Sequence, residues 1–459
     1  MNVLQGQTKS RAGSALGPYW GSAIVCLLIL AGYIAIISLL HTETAARATA
    51  PPWFSWVRIP TERTRGQCAF LAAPLLVFAG WMGIVRYWDE APDVHPGLLA
   101  FLFVLLMNAS VACMDGSLAA IWRPFESQSE YVNDVPAVHG VGVFLRDYVK
   151  YLPGYSIHAR THPPGAVLLL YFVARLVGPG VPAAAWAAVA ITASAVVPFY
   201  LWARRMAGDR TAVIAVGLYA VTPSLVLFGA TSMDGVFLAP LMWSVYFLQR
   251  TISDRKMIYA LAAGICVAIS LMFTYATVCV IAMMLLYAMM ESVKSLISLI
   301  ITGIVVVAFL GALKIFIGFD YLACLARGRF YDHYSMHTFG MSAGRYLDIS
   351  FSNLIAFLIG VGLPAVVLWG RQSLGLMKLR TSNDRFNIAL IVCVLGFSFG
   401  RLFTHETERI WMFFMPPALL AAASWIAQHE NPRVRLLDWA MCLAFAQTWL
   451  MQVFLFTIW

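Results

Sequence analysis

Long apolar runs separated by short polar breaks dominate the chain, at residues 19–40, 68–85, 96–114, 164–178, 182–203, 211–229, 233–248, 257–273, 276–290, 296–316, 350–369, 386–400, 410–427 and 436–458. About 20 apolar residues in a helix cross a ~30 Å hydrocarbon core, so the pattern predicts an all-α polytopic membrane protein. If all fourteen runs spanned, with the N-terminus cytoplasmic, the basic segments 204–210 and 250–256 would lie outside, against the positive-inside tendency. The run at 164–178 is the one to remove. It is about 15 residues long, follows Pro163-Pro164, contains Arg175 and ends in Gly178-Pro179-Gly180, which fits a helix lying on the outer membrane surface. About 13 transmembrane helices then remain, with an outer juxtamembrane helix after the first large loop. The stretch 257–290 is split at Thr274-Tyr275, because one helix there would carry Arg371, Lys378, Arg380 and Arg385 outside.

Composition agrees with this reading. Of 459 residues, 61% are hydrophobic and 12% charged, about half the charged share of an ordinary soluble domain, and the mean hydropathy is +0.77. A soluble enzyme, a nucleic-acid binder and a disulfide-stapled secreted module are excluded. The net charge of +9 reports orientation before it reports a partner. Of the eight cysteines, Cys26, Cys266, Cys279, Cys393 and Cys442 lie inside apolar runs, Cys68 and Cys113 at their ends, and Cys324 in a loop, so no disulfide framework is expected. The first run is too long for an ordinary signal peptide and reads as an uncleaved span.

The polar groups collect on the outer side, in loops 115–180 and 318–349. Seven of the nine histidines fall on the outer side: His41, His139, His158, His162, His333, His337 and His405. The first loop carries Glu126, the stretch Glu130-Tyr131-Val132-Asn133-Asp134, Arg146-Asp147-Tyr148, and His158-Ala159-Arg160-Thr161-His162-Pro163-Pro164-Gly165. A carboxylate here can act as general base toward a hydroxyl nucleophile; the alternative is a solvated loop. Asp234 sits in a minimal turn between two apolar runs, where a charge is either functional or caps the next helix. The segment from Arg401 to Arg409 holds five ionisable groups, the two arginines with His405, Glu406 and Glu408. Arg409 opens a span and suits a lipid phosphate, or else pairs with Glu406 or Glu408. Lys314, near the outer end of another span, either snorkels or meets the same phosphate. The chain has no GxxxxGK loop, dinucleotide-binding turn or Asp-x-Asp triplet, so a transferred sugar is expected on a lipid carrier rather than a nucleotide.

The order of these features resembles the GT-C superfamily of integral membrane glycosyltransferases, near the branch of protein O-mannosyltransferases and the lipid A aminoarabinose transferase. The similarity runs over about residues 97–427 and rests on Asp134 followed by His162-Pro163-Pro164, then Ala203-Arg204-Arg205-Met206-Ala207-Gly208, Pro223 with Asp234, and Arg409 ahead of Pro416-Pro417. The family's paired Asp-Glu is replaced by Asn133-Asp134 with Glu130 four residues earlier, so either acid can be the base. On this resemblance, residues 1–95 are N-terminal transmembrane segments outside the match, 96–427 a transmembrane catalytic module and 428–459 a C-terminal transmembrane helix.

The resemblance implies inverting transfer of a sugar from a polyprenyl-phosphate donor to a hydroxyl on a glycan, lipid or protein, at the outer (periplasmic) face of a plasma (inner) membrane. Asp134 or Glu130 would be the base. Asp234 and His162 would orient the acceptor or hold a divalent cation, Mg2+ or Mn2+, with Glu406 or Glu408. Arg409, with Arg160 and Lys314, would bind the donor phosphate, while Tyr131, His333 and His337 would face the acceptor. The competing readings are a transporter or flippase of a lipid-linked saccharide and an O-antigen-ligase-like enzyme. The lack of internal repeats and the one-sided polar groups favour the transferase.

Overall fold

The structure, a computed structural model, describes residues 65–88, 95–335, 342–375, 381–400, 403, 406–429 and 435–454. The expected first span at 19–40, together with His41, His337 and His405, lies outside the described residues. Among the described residues every regular element is helical, so the all-α membrane architecture holds. Five helices are long and apolar enough to cross a bilayer: Ala69–Tyr87, Pro96–Asp115, Val181–Ala207, Val293–Ile317 and Thr407–His429. The bent pair Ile349–Val361 and Leu363–Leu374 makes a sixth if taken as one span.

Several expected spans take another form. The run 211–229 is two pieces, Asp209–Tyr219 and Pro223–Leu227, with Pro223 opening the second. The run 350–369 bends by 104° at Gly362, whose φ of +94° suits a residue without Cβ, and Pro364 opens the next piece. The freed backbone groups are recovered by one side chain. Gln447 accepts from the Leu363 amide at 2.9 Å and donates to the Ile359 carbonyl at 2.9 Å, as apolar surroundings require. At 257–290 the helix does break: Met257–Phe273 ends at an extended Thr274 and the chain resumes helix at Thr277.

The segment after Pro163-Pro164 forms a helix, Gly165–Leu176, of 12 residues, about 18 Å long and too short to span. Its first residue must be glycine, since a Cβ at Gly165 would stand 2.3 Å from the Met272 carbonyl oxygen. The two outer loops are structured. The first contains helices Val141–Tyr151 and Ile157–Thr161 besides a chain of tight turns, and the second contains helix Tyr321–Ser335. Cys324, expected in a loop, is therefore buried on a helix.

Helix Met233–Asp254 packs against Val181–Ser194 and Met257–Phe273, with Gly235 set close against Thr192. Met415–His429 packs on Leu363–Leu374 and Asp209–Tyr219. Within its spanning window Thr407–His429 is 83% buried, against 11% for Val293–Ile317. The first therefore occupies the centre of the bundle and the second its lipid-facing edge.

Candidate active site

Four distant parts of the chain meet around Tyr131. It opens the turn Tyr131–Ala137 and is buried. Its ring lies 5.7 Å from that of His158, 5.9 Å from that of His162 and 6.1 Å from that of Phe237. Burial first, then the charges of Asp234 and Glu130, push its hydroxyl well above its usual range, so it remains a neutral donor.

The two acids proposed as base have different environments. Asp134 accepts from the Ser156 amide at 3.1 and 3.2 Å and from the Ser156 hydroxyl at 2.6 Å. Ser156 in turn caps helix Ile157–Thr161 through the Ala159 amide. Asp134 thus anchors a cap, and burial raises its pKa although the Ser156 bonds oppose the shift. Glu130 is only 3% exposed. Its Oε1 lies 2.9 Å from His158 Nδ1, while Oε2 has no hydrogen-bond partner.

His162 is fixed from behind. Its Nδ1 bonds the His158 carbonyl at 3.0 Å, and Tyr148 donates to the carbonyls of Ala159 at 2.6 Å and His162 at 3.1 Å. Burial lowers the His162 pKa against the opposing pull of Asp234, which favours the neutral ring. With Nδ1 donating to a carbonyl, Nε2 keeps the lone pair.

Asp234 lies in the first turn of helix Met233–Asp254. Ser232 caps that helix and bonds the Asp234 carboxylate at 2.9 Å. Arg409, 6% exposed, bonds Asp234 at 3.1 Å and Ser232 at 3.3 Å, and also pairs with Glu406. The alternative pairing of Arg409 with Glu406 is therefore present. Glu406 has a φ of +58°, a sparsely populated backbone for a non-glycine residue. Its segment is tied to helix Ala343–Val361: Asn353 donates to the Phe403 carbonyl at 3.2 Å, and Thr407 to the Asn353 carbonyl at 2.7 Å. Glu408 is fully buried beside them. The field of Glu130 also reaches Arg409.

His162, Asp234, Phe237, Thr274 and Ile410 line a cavity of about 20 Å³, room for one water-sized group. A wider groove of about 660 Å³ runs beside the first loop, past Phe144, Asp147, Lys150, Tyr151 and Tyr155.

Other expected members have contacts of their own. Lys314 pairs with Asp320 at 2.9 Å in an exposed turn, and Arg160 lies over the Tyr331 ring at 5.8 Å. His333 is half-buried on helix Tyr321–Ser335, whose Asp332 acts electrostatically on His162. Among the described residues no three His, Cys, Asp or Glu side chains form a metal-binding group. Asp234 and Glu406 converge on the Arg409 guanidinium instead, so the expected set Asp234, Glu406 and Glu408 does not fit a divalent cation as arranged. Nothing in the sequence pattern assigns a role to His158, Ser156, Ser232 or Phe237. His158 had a usable signal, because it precedes His162 by one helical turn and so shares its face.

Residues 161–317 match the model of the family described as dolichyl-phosphate-mannose-protein mannosyltransferase. That segment holds His162 and Asp234 but not Glu130, Glu406 or Arg409. Among solved structures, the chain is similar to the Archaeoglobus fulgidus oligosaccharyltransferase in its complex with Zn and sulfate, at 14% identity and a TM-score of 0.48, over 77% of this chain and 53% of that one. The chain thus spans about half the length of that protein. No curated protein matches. Over residues 161–317 the chain is thus similar to the dolichyl-phosphate-mannose-protein mannosyltransferases, and its resemblance to the GT-C glycosyltransferases stands on that match.

Proposed function

We propose that the protein transfers a sugar, with mannose as the first candidate, from a polyprenyl-phosphate carrier to an acceptor hydroxyl at the outer face of a plasma membrane. The observation that carries this reading is the meeting of a buried carboxylate with an unpartnered oxygen, Glu130, with Tyr131, His162, Asp234 and Arg409. Glu130 takes the role of base, since Asp134 is occupied by Ser156.

In a single inverting displacement the acceptor oxygen attacks the anomeric carbon as its proton passes to Glu130 Oε2. The bond from that carbon to the phosphate oxygen breaks, and its electron pair stays on the lipid phosphate. Arg409 stabilises that charge by exchanging one of its carboxylate partners for phosphate. His162 Nε2 accepts a hydrogen bond from a sugar or acceptor hydroxyl. The cavity is far smaller than the 300–1,000 Å³ of ordinary ligand pockets, so sugar binding requires its walls to part.

The test is a donor choice. The protein in lipid nanodiscs, offered labelled polyprenyl-phosphate mannose or labelled GDP-mannose, is expected to consume the first and leave the second. Consumption of the nucleotide sugar alone would overturn the reading.

A further inference from the structure

Glu130 and His158 form a pair that no motif anticipates. The carboxylate is 3% exposed, and its contact with His158 Nδ1 at 2.9 Å engages only Oε1. Oε2 is buried without a partner. A carboxylate accepts through either oxygen and turns about its last torsion, so an untethered Glu130 presents its oxygens indifferently. A single N–H fixed on one oxygen removes that freedom and leaves the other with both of its lone pairs open.

His158 is itself well held. It sits on the short helix Ile157–Thr161, capped by Ser156 and through it by Asp134. The His158 amide donates to the Ser129 carbonyl at 3.2 Å, which ties the helix to the residue preceding Glu130. The Tyr131 ring closes one side of the imidazole. With Nδ1 donating to a carboxylate, the proton sits on Nδ1.

We propose that His158 is a positioning residue for the general base, holding Glu130 through Oε1 so that Oε2 alone faces the acceptor hydroxyl. This rests on the assignment of Glu130 as base made above. The cap formed by Asp134 and Ser156 then serves the same end one step removed, because it fixes the turn that carries His158.

The test compares His158→Leu, which removes the donor, with His158→Asn, whose side-chain amide places an N–H where Nδ1 stood. Both are prepared as the full chain in lipid nanodiscs with polyprenyl-phosphate mannose as donor. His158→Leu is expected to lower kcat about 10- to 100-fold with donor KM within twofold, and His158→Asn to recover most of the loss. A second readout needs no turnover. The antisymmetric carboxylate stretch of Glu130, isolated as the infrared difference between the wild type and Glu130→Gln, is expected to shift in His158→Leu and stay in place in His158→Asn.

An unmoved band in His158→Leu, or equal losses of kcat in the two variants, overturns the proposal. If the band moves as expected but Glu130→Gln retains full transfer, the pair exists and the assignment of Glu130 as base has failed, taking with it the role given to His158.

Discussion

At the residue scale, burial separates groups that look alike in the sequence. Glu130 and Asp134 lie four positions apart, and spacing alone cannot tell which is tied down. The decision comes from Ser156, whose hydroxyl bonds Asp134 across 22 positions. Arg409 changes meaning in the same way. Sequence alone leaves it either a lipid-phosphate ligand or a partner of Glu406 or Glu408, and it is buried between Asp234 and Glu406. Removing one partner of such a pair leaves uncompensated buried charge and costs about 3–5 kcal/mol. Arg409→Ala is therefore expected to lower the unfolding midpoint as well as donor affinity, and Arg409→Lys, which keeps the charge and loses the fork, to lower both less. An Arg409→Ala protein with wild-type thermal stability in detergent would contradict the pairing.

His162 gives a pH dependence with a definite sign. Burial holds its folded pKa below the unfolded value of about 6.5, so the unfolded chain binds more protons as pH falls through that value. Its contribution to stability is complete above about pH 6.5 and declines as pH drops toward the folded pKa. Between pH 7 and pH 5 the unfolding midpoint is expected to fall less in His162→Asn than in the wild type. An equal fall in both would refute this.

At the scale of the element, run length was a good guide to helix and a poor one to continuity. The 12-residue helix after Pro163-Pro164 and the break at Thr274 follow from charge placement and proline chemistry. The bends at 220–222 and Gly362 do not, because a hydropathy window reads composition and is blind to backbone angle. The bend at Gly362 is held by Gln447, which lies 84 positions beyond Leu363. Gln447→Leu would strand the Leu363 amide, at about 1–3 kcal/mol, while the Ile359 carbonyl keeps the Gly362 amide at 3.0 Å. The expected outcome is an unfolding midpoint lower by about 1–5 °C, read by thermal denaturation in detergent. An unchanged midpoint would mean that the bend does not depend on that side chain. The outer loops were legible as polar and not as helical, since Tyr321–Ser335 has no clear apolar face and is held by contacts from elsewhere, such as Tyr275 to Cys324 at 3.3 Å.

At the scale of the whole molecule, the architecture makes the site by convergence. Residues near 130, 160, 234 and 409 come together because helix Met233–Asp254 packs among its neighbours and the central Thr407–His429 span begins with Arg409 at the same level as Asp234. The sequence listed nearly all these residues because charges are scarce in an apolar chain, so each acid or histidine stands out. It could not say which would meet: Lys314 turned to Asp320 and Arg160 to Tyr331, whereas His158 joined Glu130. In the proposed mechanism Glu130 takes the acceptor proton during transfer from a lipid-linked sugar. The most direct measurement is single-turnover transfer from labelled polyprenyl-phosphate mannose by wild type, Glu130→Gln and Asp134→Asn, each verified as folded in nanodiscs. A loss of 100-fold or more in Glu130→Gln, with a much smaller loss in Asp134→Asn, is the predicted result. Full turnover by a folded Glu130→Gln protein would contradict it.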